Sequence, residues 1–280
     1  MPHLDVPGAQ LYYETIGSGP LLLLISGANG SGDLWRILAE QLKSHFTVAI
    51  YDRRGFSRSQ LVGAQDYEHR IETDADDASL LIKHLSPDDD NTRATVVGNS
   101  SGAIVSLELL CRHPECIRVV VAHEPPAMRL VPDCDELWAM QNDIYKTYRK
   151  SGIAPALDMF ADMIKAGKER QGLVRGFAST DPYVKLNTIY WFERELLDYP
   201  YRQFDVEVLK KQKDRLLLAN GADSNKEALQ FRANVALGEK LGLDVKLLPA
   251  MHIGFATHPK GWAQGLLDIL KEKNDFYAKG

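Results

Sequence analysis

The sequence predicts a doubly wound α/β fold with a mostly parallel sheet and one helical insertion. Continuous apolar runs such as Leu21–Ile25, which suit strands covered by helices on both faces, alternate with amphipathic stretches in the first half of the chain. These runs then stop, and residues 135–204 carry helical patterns and many aromatic side chains before the runs return. We therefore predict a core built from residues 1–127 and 211–280, with a helical cap at residues 128–210.

Each predicted element follows from a local pattern. Short apolar runs predict strands at residues 10–15, Leu21–Ile25, Thr47–Tyr51, 94–97, 119–122, 215–219 and Val245–Leu248. Apolar side chains at helical spacing predict helices at residues 34–42, 72–85 and 103–111, and a closing helix that carries Trp262, Leu266, Leu267 and Leu270. The first two strands are separated by Gly17-Ser18-Gly19-Pro20, whose glycines and proline suit the tight turn of a hairpin.

Composition and charge exclude several classes of protein. The 280 residues include 33 Lys and Arg against 38 Asp and Glu, a net charge of −5, and no long basic run marks a nucleic-acid interface. The N-terminus lacks the basic start and apolar run of a signal peptide, and no apolar stretch approaches the roughly 20 residues of a membrane helix. We therefore expect a soluble, cytoplasmic protein that binds neither nucleic acid nor a membrane.

Cysteines and acidic clusters give no indication of a metal site. The three cysteines, an odd number, lack the C-x-x-C spacing of a zinc site, which also argues against a disulfide framework. Two acidic clusters, Asp74 with Asp76 and Asp77, and residues 88–90, fall at expected loops or helix starts. Acidic side chains suit the positive end of a helix dipole, so we expect both clusters to be solvated and predict no bound metal.

The strongest local motif is a strand, a Gly-x-Ser-x-Gly turn and a helix. The turn is Gly98-Asn99-Ser100-Ser101-Gly102, between the apolar residues 94–97 and the helical pattern at residues 103–111. This context is the one that a nucleophile elbow requires, because glycines relieve crowding around a serine held in a sharp turn. We predict Ser100 as the nucleophile and the backbone N–H of Ser101 as an oxyanion donor.

A serine nucleophile needs a base and a second oxyanion donor. His252 lies just after the last predicted strand, in the Ser, acid, His order of this type of site, and is the predicted base. The glycine-rich loop at residues 26–32 follows the strand Leu21–Ile25 and lets backbone N–H groups approach a substrate oxygen. Within that loop, Ala28 stands where the second donor is expected.

Two carboxylates compete as the acid that orients His252. Asp223 follows the penultimate predicted strand, but it stands one position before the usual Gly-x-x-Asp spacing. Glu124 ends the strand that follows the elbow helix, and two prolines fix the chain behind it. A carboxylate at the end of a buried strand is a candidate functional group, so we favour Glu124 as the acid and keep Asp223 as the alternative.

These residues resemble the α/β hydrolases and, among them, the zearalenone-type lactone hydrolases. The similar segments are Tyr12-Tyr13-Glu14, Gly17-Ser18-Gly19-Pro20, Ser57-Arg58-Ser59, Ser100-Ser101-Gly102-Ala103, His123-Glu124-x-Pro126, Leu247-Leu248-Pro249-Ala250-Met251-His252 and Asn187-x-x-x-Trp191. The resemblance implies an α/β-hydrolase fold, no cofactor, and a triad of Ser100, Glu124 and His252. It also implies that Trp191 contacts the substrate. The cap sequence diverges from that family, and Asp223 stands where the family has no acid.

The expected function is hydrolysis of an ester or lactone bond in a bulky hydrophobic small molecule, through an acyl-enzyme, with a zearalenone-like macrocyclic lactone as one candidate substrate. The alternatives are a C–C bond hydrolase or lyase that uses the same triad, and a non-enzymatic small-molecule receptor of the same fold. The expected partner is the small-molecule substrate, and the assembly considered is a homodimer. Because one fold hosts many reactions, the substrate does not follow from the triad.

Overall fold

One sheet runs through the molecule. The computed structural model describes residues 2–86, 93–177, 179 and 181–279. Within these ranges the strands are β1 His3–Val6, β2 Ala9–Ile16, β3 Leu21–Ile25, β4 Thr47–Tyr51, β5 Gln60–Leu61, β6 Ala94–Asn99, β7 Ile117–His123, β8 Leu216–Gly221 and β9 Val245–Leu248. Their order is β1-β2-β4-β3-β6-β7-β8-β9, with β5 beside β2. Neighbours from β4 to β9 pair in parallel, which confirms the predicted mostly parallel sheet.

Helices cover both faces of the sheet. They are α1 Arg36–Leu42, α2 Arg70–Leu85, α3 Ser101–Arg112, α4 Cys134–Ser151, α5 Ile153–Met163, α6 Arg170–Phe177, α7 Pro182–Arg194, α8 Val206–Lys211, α9 Leu229–Leu241, α10 Gly254–Thr257 and α11 Pro259–Lys273. One apolar core contains side chains of α1 and α11, and the other contains side chains of α2, α3 and α9. The doubly wound prediction is therefore confirmed.

Helices α4 to α8 lie between β7 and β8, in the region predicted as a helical insertion, and from here on the cap denotes residues 128–205, which carry α4 to α7. Apolar side chains of the cap belong to the same core cluster as those of α2 and α3, so the cap and this part of the core share one apolar interior. None of the helices in the described ranges combines the length and apolar character needed to cross a bilayer.

The predicted hairpin between the first two predicted strands is wrong. In the sheet β4 lies between β2 and β3, antiparallel to β2 and parallel to β3. Gly17 packs against the turn before β4, where a Cβ would lie 2.3 Å from the Lys43 carbonyl oxygen. All of β3 is buried, so this strand needs a partner on each side. The turn residues indicate that the chain reverses, but not which strand becomes the neighbour.

Two acidic residues of α2 are buried, contrary to the expectation that their cluster is solvated. The side chains of Asp74 and Asp77 are 1% and 3% exposed. Arg53 donates to Asp74 at 2.7 Å, and Arg54 donates two hydrogen bonds to Asp77 at 2.7 and 2.6 Å. The guanidinium groups come from the loop after β4, and a buried charge is tolerated when it is paired in this way. The helix-start pattern gave no indication of these partners.

Candidate active site

Ser100 lies in a strained turn between β6 and α3. Its φ of +57° and ψ of −125° place it in a region that residues other than glycine rarely adopt. The turn is possible because its neighbours are glycines. A Cβ on Gly98 would lie 2.2 Å from the Gly102 carbonyl oxygen, and one on Gly27 would lie 2.8 Å from the Ser100 Cβ. The strain holds Ser100 at the N-terminus of α3, facing a cavity.

Glu124 and His252 are joined by a short hydrogen bond. Glu124 follows β7 with a φ of +49°, and its side chain is fully buried. Its Oε2 accepts from His252 Nδ1 at 2.6 Å, and its Oε1 accepts from the backbone N–H of Gly221 at 2.9 Å. Because an ionised carboxylate only accepts, the His252 Nδ1 carries the proton and Nε2 is left as the basic nitrogen. The sequence-predicted acid and base are thus in direct contact.

The charges of this pair stabilise each other. Burial alone would raise the pKa of Glu124, but the hydrogen bond and charge of His252 lower that pKa to about 2. Burial opposes the charged form of His252, while the hydrogen bond and charge of Glu124 outweigh it and raise the pKa of the imidazole above its usual value. The imidazole of His252 therefore binds a proton more readily than a free imidazole, and the Glu124 carboxylate beside it stays ionised.

Asp223, the alternative acid, lies on the loop after β8. Its side chain is exposed, and its backbone N–H donates to the Ala250 carbonyl oxygen at 3.0 Å. The Nδ1 of His252 already donates to Glu124. The next residue, Ser224, lies on the cavity wall. The structure therefore brings Glu124, and not Asp223, to His252.

Asn99 links the elbow to the His252 loop. Its Nδ2 donates to the His252 carbonyl oxygen at 3.1 Å and to His123 Nδ1 at 2.9 Å. His123 must accept this bond, so the Nδ1 of His123 is unprotonated, and burial lowers the pKa of this imidazole to about 4. The buried His123 thus has Asn99 as its hydrogen-bond partner.

A cavity of about 590 Å³ opens beside Ser100 and His252. Both expected oxyanion donors, Ala28 and Ser101, lie on its wall. Ser101 begins α3, and the first N–H groups of a helix have no acceptor within the helix, so this N–H is available to a ligand. The apolar cap side chains on the wall are Phe160, Met163, Ile164, Ala166, Leu173, Phe177, Val184, Trp191, Leu196 and Pro200.

Trp191 lies in the cap wall of this cavity. Only 4% of its surface is exposed, and its ring centroid lies 4.9 Å from that of Phe160 and 5.3 Å from that of Phe177. On the same helix, Asn187 accepts from the Ser57 backbone N–H at 2.7 Å. This hydrogen bond joins the cap to the core at the cavity edge. The position of Trp191 is therefore held by ring contacts within the cap and by the attachment of its helix to the core.

Three residues of this region were missed by sequence reasoning. Asn99 occupies the variable position of the elbow motif, Glu169 lies on a cap turn beside the His252 loop, and Arg53 bonds to a cap carboxylate from the core. No local pattern singles them out, because each acts through a partner that is distant in the chain. Among the described residues, no three His, Cys, Asp or Glu side chains are grouped to hold a metal ion. The acidic residues 88–90 lie outside the described ranges.

Comparison with known proteins identifies the family. A family model described as the alpha/beta hydrolase fold matches residues 20–242. The uncharacterized hydrolase YraK of Bacillus subtilis (strain 168) is 31% identical over 275 residues, which cover 96% of each chain. The chain belongs to the α/β-hydrolase family. A zearalenone hydrolase from Bionectria ochroleuca is 26% identical to this hydrolase over 280 residues, 95% of each chain.

Solved structures share this fold. An esterase from Thermogutta terrifontis superposes with a TM-score of 0.72 at 18% identity, covering 98% of this hydrolase and 99% of the esterase. An enol-lactonase from Burkholderia xenovorans LB400 superposes with a TM-score of 0.69 at 21% identity, covering 96% and 100%. The predicted superfamily and fold are confirmed, and so is the broad assignment as a hydrolase. The catalytic residues and the substrate stay predictions.

Proposed function

We propose that this hydrolase cleaves an ester or lactone bond of a bulky hydrophobic small molecule through an acyl-enzyme. Ser100 is the nucleophile, His252 the base and Glu124 the orienting acid, and the N–H groups of Ala28 and Ser101 bind the oxyanion. The observation that carries the proposal is the 2.6 Å bond between Glu124 and His252 at the cavity that Ser100 faces. An acid, a base and a hydroxyl at one cavity are the requirements of serine catalysis.

The first half of the reaction forms the acyl-enzyme. His252 Nε2 takes the proton of Ser100 Oγ as this oxygen attacks the substrate carbonyl carbon. The carbonyl oxygen becomes an oxyanion that accepts from the N–H groups of Ala28 and Ser101. When the tetrahedral intermediate collapses, the alkoxide leaves and takes the proton from His252. In a lactone, this alcohol stays attached to the acyl chain.

The second half of the reaction releases the acid. His252 Nε2 takes a proton from water, whose oxygen attacks the acyl carbonyl carbon. Collapse of the second tetrahedral intermediate breaks the bond to Ser100 Oγ, which recovers its proton from His252. In both halves the ionised Glu124 stabilises the imidazolium and holds its ring. No cofactor is needed for these steps, because His252 passes on each proton that it takes up, the first to the leaving alcohol and the second to Ser100 Oγ.

The cavity supports a bulky apolar substrate. Its volume of about 590 Å³ falls within the roughly 300–1,000 Å³ of small-molecule sites, and apolar side chains of the cap line it. The relative from Bionectria ochroleuca is described as a zearalenone hydrolase and matches along almost the whole chain. This similarity makes macrocyclic lactones the first substrates to test, followed by aryl esters.

The test is to label the nucleophile and identify the products. A fluorophosphonate probe should react with the native protein, and mass mapping should place the label on Ser100. Ser100→Ala should lose labelling and about 10³-fold or more of the turnover while its melting temperature stays unchanged. Ser44→Ala, at an exposed turn, is the control and should retain both. Hydrolysis by Ser100→Ala near the native rate would contradict the mechanism. If the native protein bound a lactone without hydrolysing it, a receptor function would be favoured.

A further inference from the structure

One carboxylate of the cap contacts the loop that carries His252. Glu169 Oε1 accepts from the backbone N–H of Ile253 at 3.1 Å, and Ile253 directly follows His252. Glu169 also lies on the wall of the cavity that Ser100 and His252 share. The cap thus contacts the chain directly beside the base.

The backbone of the cap is shaped to make this contact. After α5, Lys165 and Gly167 adopt φ values of +52° and +53°, and the chain forms a short 3-10 helix over Gly167–Glu169. A Cβ on Gly167 would lie 3.8 Å from the Met251 side chain, so this turn packs directly on the His252 loop. A positive φ at a lysine carries strain, and such strain persists only where surrounding contacts hold it.

The His252 loop is therefore held from two sides. From the core, Glu124 bonds to the imidazole Nδ1 at 2.6 Å and Asn99 bonds to the His252 carbonyl oxygen at 3.1 Å. From the cap, Glu169 bonds to the next N–H along the chain. If the cap were displaced, the core contacts would remain and the cap contact would be lost.

Three titratable groups lie around His252. Glu124 and Glu169 are carboxylates from the core and from the cap, and His123 lies beside them as a second imidazole. Both carboxylates favour the charged imidazole and raise the pKa of His252. Burial raises the pKa of Glu169 itself, while the charge of His252 acts in the opposite direction. Glu169 therefore acts on His252 through its charge as well as through its hydrogen bond.

We propose that Glu169 is a positioning residue. While the cap is packed on the core, Glu169 holds the His252 loop in the orientation that catalysis needs and stabilises the charged imidazole. This proposal rests on the proposed function, in which His252 is the base. It assigns to the cap a part in the chemical step, in addition to enclosing the substrate. Glu169 makes two contributions that can be separated. The hydrogen bond to the Ile253 N–H needs only an acceptor oxygen, whereas the effect on the imidazole charge needs a carboxylate.

Two substitutions separate these contributions. Glu169→Gln keeps an acceptor oxygen for the Ile253 N–H but removes the charge. We expect kcat for a small aryl acetate to stay within about threefold of the native value, with the acidic limb of its pH profile moved to lower pH. Glu169→Ala removes both contributions. We expect kcat to fall about 10- to 100-fold with KM nearly unchanged, because a misplaced base slows the chemical step.

The control is Glu136, an exposed carboxylate at the start of cap helix α4. Glu136→Gln and Glu136→Ala should leave kcat, KM and the pH profile unchanged. Melting temperatures of all four variants show whether a loss of activity follows a loss of folding. A native kcat and pH profile for Glu169→Ala would overturn the proposal. A rise in KM alone, shared by both Glu169 variants, would do the same and make Glu169 a substrate contact.

Fluorophosphonate labelling separates this proposal from the proposed function. If Ser100 of the native protein is labelled and Glu169→Ala is labelled at least about tenfold more slowly, the positioning role is supported. Equal labelling rates would overturn the positioning role and leave the proposed function intact. If the native protein is not labelled at Ser100, the proposed function fails and the role of Glu169 fails with it.

Discussion

Arg53 of the core and Glu195 of the cap form a fully buried ion pair. The two terminal nitrogens of Arg53 donate to the two carboxylate oxygens of Glu195 at 2.8 and 2.7 Å, and both side chains are 0% exposed. Arg53 also donates to Asp74 at 2.7 Å and to the Gly27 carbonyl oxygen at 3.0 Å. A single guanidinium therefore connects the cap, helix α2 and the loop that carries Ala28.

Removal of the Glu195 charge should destabilise the protein strongly. In Glu195→Gln, Arg53 and Arg70 keep one nearby buried carboxylate, Asp74, in place of two. Loss of one partner from a buried ion pair typically costs about 3–5 kcal/mol, because the other charge stays buried. We expect the free energy of unfolding, measured by urea titration, to fall by about that amount.

An exposed pair in the cap provides the control. Asp143→Asn breaks the bond of Lys146 to Asp143, whose side chains are 74% and 62% exposed. Exposed pairs contribute roughly 0–1 kcal/mol, so this variant should unfold almost like the native protein. Equal losses in the two variants would show that the buried pair contributes no more than a surface pair.

The sheet and the elbow were predictable because their patterns are local. A strand covered on both faces must be apolar throughout, as in β3, and the elbow needs glycines next to its serine. The edge strand β1 was not predicted, because its four residues alternate between exposed and half-buried positions and carry little apolar signal. Helix α9 was also missed, because it buries the polar Gln230 and Asn234.

The contacts between cap and core were not predictable from local patterns. Glu195 lies 142 positions after Arg53, and Ile253 lies 84 positions after Glu169. A charged residue in a helical segment is usually exposed, so the sequence gives no reason to place either carboxylate in the interior. Only the packing of the cap on the core brings the partners together.

The acid assignment gives a second prediction. Glu124→Gln removes the charge that stabilises the His252 imidazolium and should lower kcat by about 10³- to 10⁴-fold. Asp223→Asn changes an exposed side chain and should keep most of the activity. Steady-state kinetics with an aryl ester would measure both, and thermal melts would show whether each variant is folded. A folded, active Glu124→Gln beside an inactive Asp223→Asn would assign the acid to Asp223.

The role of Trp191 gives a third prediction. Since the ring lies on the cavity wall, Trp191→Ala should impair kcat/KM for a bulky aromatic ester by about tenfold or more and largely spare a small acetate ester. Trp138 is a matched control in the cap, because its ring stacks on Tyr201 at 4.2 Å and is not on the cavity wall. Trp138→Ala should not discriminate between the two substrates. Equal losses on both esters with Trp191→Ala, together with a lower melting temperature, would make Trp191 a core residue.

His123 should make the stability of the protein depend on pH. Burial lowers the pKa of this imidazole from its ordinary value of 6.5 to about 4. Between these two values the unfolded chain binds a proton that the folded protein does not. The free energy of unfolding should therefore fall as the pH is lowered from 6.5 to 4, and this contribution amounts to about 3 kcal/mol.

The source of that pH dependence can be tested with two substitutions. His123→Gln keeps an acceptor oxygen for Asn99 Nδ2 but does not titrate, so its stability should fall less than that of the native protein between pH 6.5 and 4. His69→Gln is the control. Asp66 raises the pKa of the exposed His69, so this residue acts in the opposite sense, and the variant should retain the acid-induced loss. Parallel curves for the native protein and His123→Gln, from urea titrations at each pH, would show that the buried imidazole does not carry the effect.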